Sequence, residues 1–182
     1  IAGVGTSTAG FIGVSADISG IWNPDDQAGM PARPTGTPYP QAAVGEPQPI
    51  KSWSEFTQKF GDIQAANQYL AHAVYGFFNN GGGACWVTRV ATVGAATAAL
   101  AKFESIDAIA IVAAPMPPDT TAAALNALHD ALVTHCKKLE DRVAILDSTH
   151  DITGNNLVIS SDASGIWRAA ADPKGYGAFY FP

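Results

Sequence analysis

Charge is scarce in this 182-residue chain: 14% of its residues are Asp, Glu, Lys or Arg, against ~25% in ordinary globular domains. The balance is acidic, with a net charge of -6 and no basic run. Such a chain is a poor electrostatic match for nucleic acid or for an anionic membrane. Long apolar runs are missing too; none approaches the ~20 residues that span a bilayer. Cysteine is limited to Cys85 and Cys136. A lone pair is not a disulfide framework, so buried free thiols and folding in a reducing cytoplasm are expected. The four histidines are His72, His129, His135 and His150. His129 and His135 are six apart on one predicted helix and do not share a face. No Cys/His spacing supplies the three or four converging ligands of a metal site. No metal and no cofactor are therefore expected. The opening Ile1-Ala-Gly-Val lacks both an initiator Met and the basic start of a signal peptide. The chain is expected to begin inside a longer protein.

What is present is a core. The chain is 47% hydrophobic, enough for one sizeable domain or a domain with an appendage. Its organising stretch is AANQYLAHAVYGFFNNGGGACWVTRV, residues 65–90. Ala66, Tyr69, Leu70, Ala73, Val74, Phe77 and Phe78 recur at helical spacing and predict a buried face. Asn79, Asn80 and Gly81 to Gly83 then stop the helix, since Asn and Gly tolerate a left-handed cap. Cys85 to Val90 suit a strand.

The remaining elements follow from similar signals. A strand is expected near 10–14. Residues 20–50 hold seven of the 12 prolines, which fix φ and remove donors. That zone predicts a long irregular loop with a short edge strand at most. Ser52-Trp-Ser-Glu55 is a capping box opening a short helix that buries Trp53, Phe56 and Phe60 and ends at Gly61. Asp62 is placed to cap the next helix, near 63–78. A short helix is expected over 97–103, with Leu100 and Phe103 inward. The unbroken apolar run 108–114 predicts a strand covered on both faces. Asp119 or Thr120 should cap a helix near 120–139, with the stripe Leu125, Leu128, Leu132, Cys136 and Leu139. Another strand is expected at 142–146, a possible one at Leu157–Ile159, and a last one at Tyr176–Phe181. Trp167 reads as an anchor. Ending on Phe-Tyr-Phe-Pro, the chain reads as cut rather than finished. Alternating strands and helices argue for parallel pairing with right-handed crossovers.

Several stretches echo catalytic motifs without their context. Gly3-Val-Gly5 through Gly10 has the look of a dinucleotide loop, but a strand rather than a helix follows. Gly5-Thr-Ser7-Thr-Ala9 lacks the strand-turn-helix setting of a nucleophile elbow. Gly81 to Gly83 are followed by no Gly-Lys-Ser/Thr, and by a strand. Asp147 closes a predicted parallel strand, where ligand residues of α/β folds often sit; a turn or capping carboxylate is the plainer role. Asp147, Ser148 and His150 contain the residue types of a triad, which geometry and not adjacency defines.

The helix ending FFNNGGGACWVTRV closely resembles the FF.NGG..C.VVRV pattern of contractile tail sheath proteins, found in contractile phage tails, R-type bacteriocins and related injection particles. Gly5 to Gly13 resembles that family's opening strand, and Pro49 to Gly61 its P..I.SW.EF...FG segment. Ala108–Pro115, Arg142–Asp147 and Tyr176–Pro182 fit its later strands, in the same order. The resemblance implies a subtilisin-like architecture, here without matching catalytic Asp, His and Ser motifs. It implies a subunit that forms hexameric discs stacked helically around an inner tail tube protein. Baseplate and tail terminator proteins complete the implied partners, with no nucleic acid and no membrane insertion. Linking arms are expected outside these ends, completing sheets in neighbouring subunits.

Together these readings predict an α/β fold: a mainly parallel sheet flanked by helices, with a Pro-rich excursion and a small β-rich appendage. Residues 1–19 hold the opening strand, 20–50 the Pro-rich loop or insertion, and 51–182 the remainder. Contraction would drive the tube through a target envelope. No catalytic, cofactor-binding or metal residue is assigned. The alternative from another class is an α/β hydrolase or nucleotide-binding enzyme.

Overall fold

A computed structural model gives the fold of residues 8–15, 42–148 and 173–180. The strands are β1 (Ala9–Val14), β2 (Gln48–Ile50), β3 (Cys85–Val90), β4 (Ile111–Ala113), β5 (Val143–Asp147) and β6 (Gly177–Tyr180). The helices are α1 (Trp53–Phe60), α2 (Gln68–Asn79), α3 (Ala96–Ala101) and α4 (Ala122–Leu139). One six-stranded sheet runs β2-β3-β1-β4-β5-β6. All its pairings are parallel except that of β2, which lies antiparallel on β3 at the edge. The fold is therefore α/β with a mainly parallel sheet, and the Pro-rich zone contributes an edge strand.

The parallel strands alone follow the doubly wound order 2-1-3-4-5. The chain moves one way from β1 to β3 with α1 and α2 on one face. It moves the other way through β4 and β5 with α3 and α4 on the opposite face. A single hand of crossover produces this pattern.

β1 sits centrally because its side chains let both layers come close. Ala9 and Phe11 join the cluster of Phe56, Phe60, Leu70, Ala71 and Val74 from α1 and α2. Ile12 joins the cluster of Leu100, Phe103, Leu128, Leu132 and Cys136. A Cβ on Gly10 would lie 2.7 Å from Phe103 Cε2, and one on Gly13 would lie 2.7 Å from Leu70 Cβ. Glycine in a strand interior marks such a close approach.

The helix ends follow local chemistry. Ser52 Oγ accepts from the Glu55 N–H at 3.1 Å. The returning Glu55 carboxylate bonds the Lys51 N–H at 2.9 Å, one residue earlier than a capping box requires. Gly61 closes α1 at φ 80°. Helix α2 ends in a Schellman motif: Gly81 N–H donates to Phe78 O at 3.1 Å and Gly82 N–H to Phe77 O at 2.9 Å, with Gly81 at φ 87°.

Four boundaries differ from expectation. Helix α2 begins at Gln68, not near 63, because Asn67 folds the preceding segment into a turn. Its Oδ1 accepts from Gln64 N–H and its Nδ2 donates to Phe60 O and Asp62 O. The Asp62 carboxylate accepts from the adjacent Ile63 N–H instead of capping α2. Strand β4 is three residues long, because a turn occupies Asp107–Ala108 and Ile109 N–H donates back to Ile106 O. Thr121, not Asp119 or Thr120, caps α4, its Oγ1 accepting from Ala124 N–H at 3.3 Å. The 97–103 helix is α3 followed by a 3-10 turn, Lys102–Ser105. The appendage, the strand at Leu157–Ile159 and Trp167 lie outside the described residues.

Two buried guanidiniums tie the edges of this frame. Arg142, 4% exposed, donates to Phe103 O at 2.9 Å and Ile106 O at 3.3 Å. It grips Asp141 with both Nε and Nη2, at 2.7 and 3.1 Å. Arg89 donates to Ala42 O and Ser15 O, and its own carbonyl accepts from Gly45 N–H at 2.8 Å. The chain thus leaves β1 and returns towards β2 around one side chain.

Leu128→Ala and Leu132→Ala, at 3% and 1% exposure, should each cost about 2–5 kcal/mol in urea unfolding. Changes below about 0.5 kcal/mol would mean that α4 does not pack as described. Gly10→Ala should destabilise by about 1–3 kcal/mol, as overpacking does. An unchanged urea midpoint would show that Phe103 can move aside.

Candidate functional site

In doubly wound sheets the crevice beyond the strands' carboxyl ends collects ligand-binding residues. Here a cavity of about 220 Å³ opens at the ends of β4 and β5. Its rim is the Ala114–Pro118 segment; α2 contributes Tyr69 and His72, and β5 ends in it with Asp147 and Ser148. Thr120 and Leu125 close the side at the start of α4.

Asp147 stands where the sequence placed it. Its carboxylate makes no hydrogen bond or ion pair with a described residue. Part of its surface meets solvent, yet the protein around it displaces enough water to raise its pKa. Thr120 Oγ1 is buried without a partner among the described residues. Ser148 is held by its backbone, donating to Tyr180 O at 3.1 Å. The structure thus brings Asp147 and Ser148 into one cleft. His150 and Ser7 lie outside the described residues. The histidine that does line the cleft is His72, and nothing local in the sequence marks it. Only the docking of α2 against the sheet carries it there.

The other candidates serve the core. His129 is 3% exposed and packs its ring edge-on against Phe179, with centroids 5.8 Å apart. Burial lowers its pKa to about 4. His135, on the other side of α4, is lowered by burial and then by repulsion from Arg142. No group of three or more metal-ligating side chains occurs among the described residues. Cys85 and Cys136 are buried free thiols, each pushed up to about 12 by desolvation. The Gly81–Gly83 stretch is a helix-to-strand turn. A Cβ on Gly82 would sit 2.3 Å from the Phe77 ring, which explains the glycine without a phosphate. No described helix is long and apolar enough to cross a membrane.

The fold and cleft define an α/β domain of doubly wound parallel type. No family model and no curated protein matches the chain by sequence. Among solved structures, the chain is similar to the anti-feeding prophage helical sheath in its contracted state. The two are 20% identical with a TM-score of 0.58, and the match covers 97% of this chain and 39% of the sheath chain. The chain therefore spans well under half the length of the sheath protein whose fold it shares.

A histidine buried neutral has a lowered folded pKa, so its stabilising contribution is present above the unfolded value of about 6.5 and is lost as pH falls towards 4. His135 adds in the same direction. Thermal stability should fall across that window, and His129→Phe should reduce the slope. An identical slope in the variant would show that His129 does not titrate on unfolding.

Proposed function

We propose that this chain is the α/β domain of a contractile tail sheath subunit. In this reading the subunit polymerises helically around a rigid inner tube and contracts to drive the tube through a target cell envelope. The supporting observation is the shared fold with a contracted sheath over nearly the whole chain. The ordered motifs from Gly5 to Pro182 support it independently. The partners are further copies of the subunit, the tube, and baseplate and terminator proteins. Its place is a phage tail or tail-like particle assembled in the bacterial cytoplasm. In this reading residues 1–19 hold the opening strand of the sheath domain, 20–50 are a Pro-rich loop or insertion whose end returns to the sheet as β2, and 51–182 are the remainder.

The mechanism is mechanical, with rigid subunits changing contacts while arms keep the lattice connected. Arm strands add to a free sheet edge, and the two edges differ physically. β2 is three residues long and carries Pro49, which donates no hydrogen bond. β6 has four residues without proline, and its Tyr180 is 58% exposed. β6 is the better template. No residue is catalytic in this reading. A hydrolase would have to draw on Asp147, Ser148 and His72, which share the cleft with Tyr69 and Thr120.

Without arms, surface contacts must overcome an association cost of about 4–15 kcal/mol. Residues 1–182 alone should stay monomeric or weakly associated by light scattering. The longer product carrying this chain should form hollow cylinders in negative-stain microscopy, unchanged by Ser148→Ala. Dispersed globules with Ser148-dependent hydrolytic turnover would overturn the sheath reading.

A further inference from the structure

The cleft beyond β4 and β5 has a chemistry that the sheath reading leaves unused. At about 220 Å³ it is smaller than the ~300–1,000 Å³ typical of drug-sized ligands and cofactors. It suits one compact group on a short stem. Its lining holds one acid, Asp147, beside groups that can both donate and accept: the hydroxyls of Tyr69, Thr120 and Ser148 and the ring of His72. Pro115, Pro117 and Pro118 carry no N–H, and among the described residues no lysine or arginine lines it. Two of its acceptors have no partner among the described residues: the buried Thr120 Oγ1 and the Asp147 carboxylate. Leu125, Met116 and Ala114 supply apolar wall. Ammonium and guanidinium groups are donors only, and lysine and arginine stems pack along apolar surface.

We propose that this cleft binds an alkylammonium or guanidinium group, with Asp147 as its counter-charge and Thr120 Oγ1 as a further acceptor. Two sources carry that chemistry: a free amine, or a basic side chain of a neighbouring copy. The second source rests on the sheath reading.

The test starts with the isolated protein, so it does not depend on assembly. n-Butylammonium, n-butylguanidinium and neutral n-pentanol are titrated while NMR follows the Asp147 carboxyl carbon and the Ala114, Thr120 and Ser148 amides. The expected result is saturable, localised shifts for both cations and much weaker ones for pentanol. Asp147→Asn should weaken binding about tenfold or more, the scale of one lost charge-assisted contact. Thr120→Val should weaken it by a smaller factor. Both variants should keep the wild-type amide pattern elsewhere, as neither side chain holds a described partner. Equal responses to cations and pentanol, or an Asp147→Asn variant that binds as well as wild type, would overturn the proposal. With cylinders in hand, butylammonium that binds wild-type cylinders as it binds monomer identifies a free amine. A cleft closed to butylammonium in cylinders, with Asp147→Asn cylinders falling apart at lower salt, identifies the neighbouring copy. If no cylinders form, the sheath reading fails, and the monomer titration still decides the cation site.

Discussion

The fold depends on how closely two helical layers can approach one central strand. β1 contributes side chains to both cores, and its two glycines stand where the layers press hardest. Phe103 occupies the space of a Gly10 side chain, and Leu70 that of Gly13. A strand with larger residues at both places would hold the layers apart, and close-packed interiors do not tolerate such gaps. The registers of β3 and β4 on β1 run from the same end, Ala9 facing both Cys85 and Ile111. The switch between the two halves of the sheet follows from β1.

Around that strand, polar chemistry is used for fastening. The two guanidiniums buried among the described residues, Arg89 and Arg142, spend their donors on backbone carbonyls. A buried charge is tolerable only with its hydrogen bonds made, and carbonyls of irregular turns need donors. Each arginine meets both requirements while linking segments 36 to 74 residues apart in sequence. Arg142 in turn holds the Asp141 carboxyl below its usual range. The exposed pairs, such as Lys138 with Glu104 at 2.7 Å, contribute little by comparison.

The titratable groups of this frame divide by exposure. Its histidines on α4 and both thiols are withdrawn into the core, neutral and unreactive near pH 7. The carboxylate of Asp147, without a partner among the described residues, instead stands at an opening beside Pro115, Pro117 and Pro118. Among the described residues, the outer edge of β6 and that opening are the two features most suited to receiving another group.

Elements of strong local signal were legible in the sequence. The Schellman stop after Phe78, the Ser52 N-cap, the stripe on α4 and the strand character of β1, β3 and β5 each rest on residues within a few positions of one another. The capping details that slipped were decided by tertiary hydrogen bonds. Asn67 reached back to Phe60 and Asp62 and delayed α2, and Thr121 won the α4 cap once Thr120 N–H had turned to Pro117 O. The cleft was legible only in half. Asp147 could be placed at a strand's carboxyl end from its apolar run, because strand direction follows from the order of elements. His72 and Tyr69 could not be placed there. Helical periodicity says which residues share a face, and it contains nothing about which strand that face will meet. The sequence by itself determined the periods, the caps and the glycines that permit close approach. The tertiary structure decided which groups from distant elements converge, because that depends on strand order and helix docking, which no local pattern encodes.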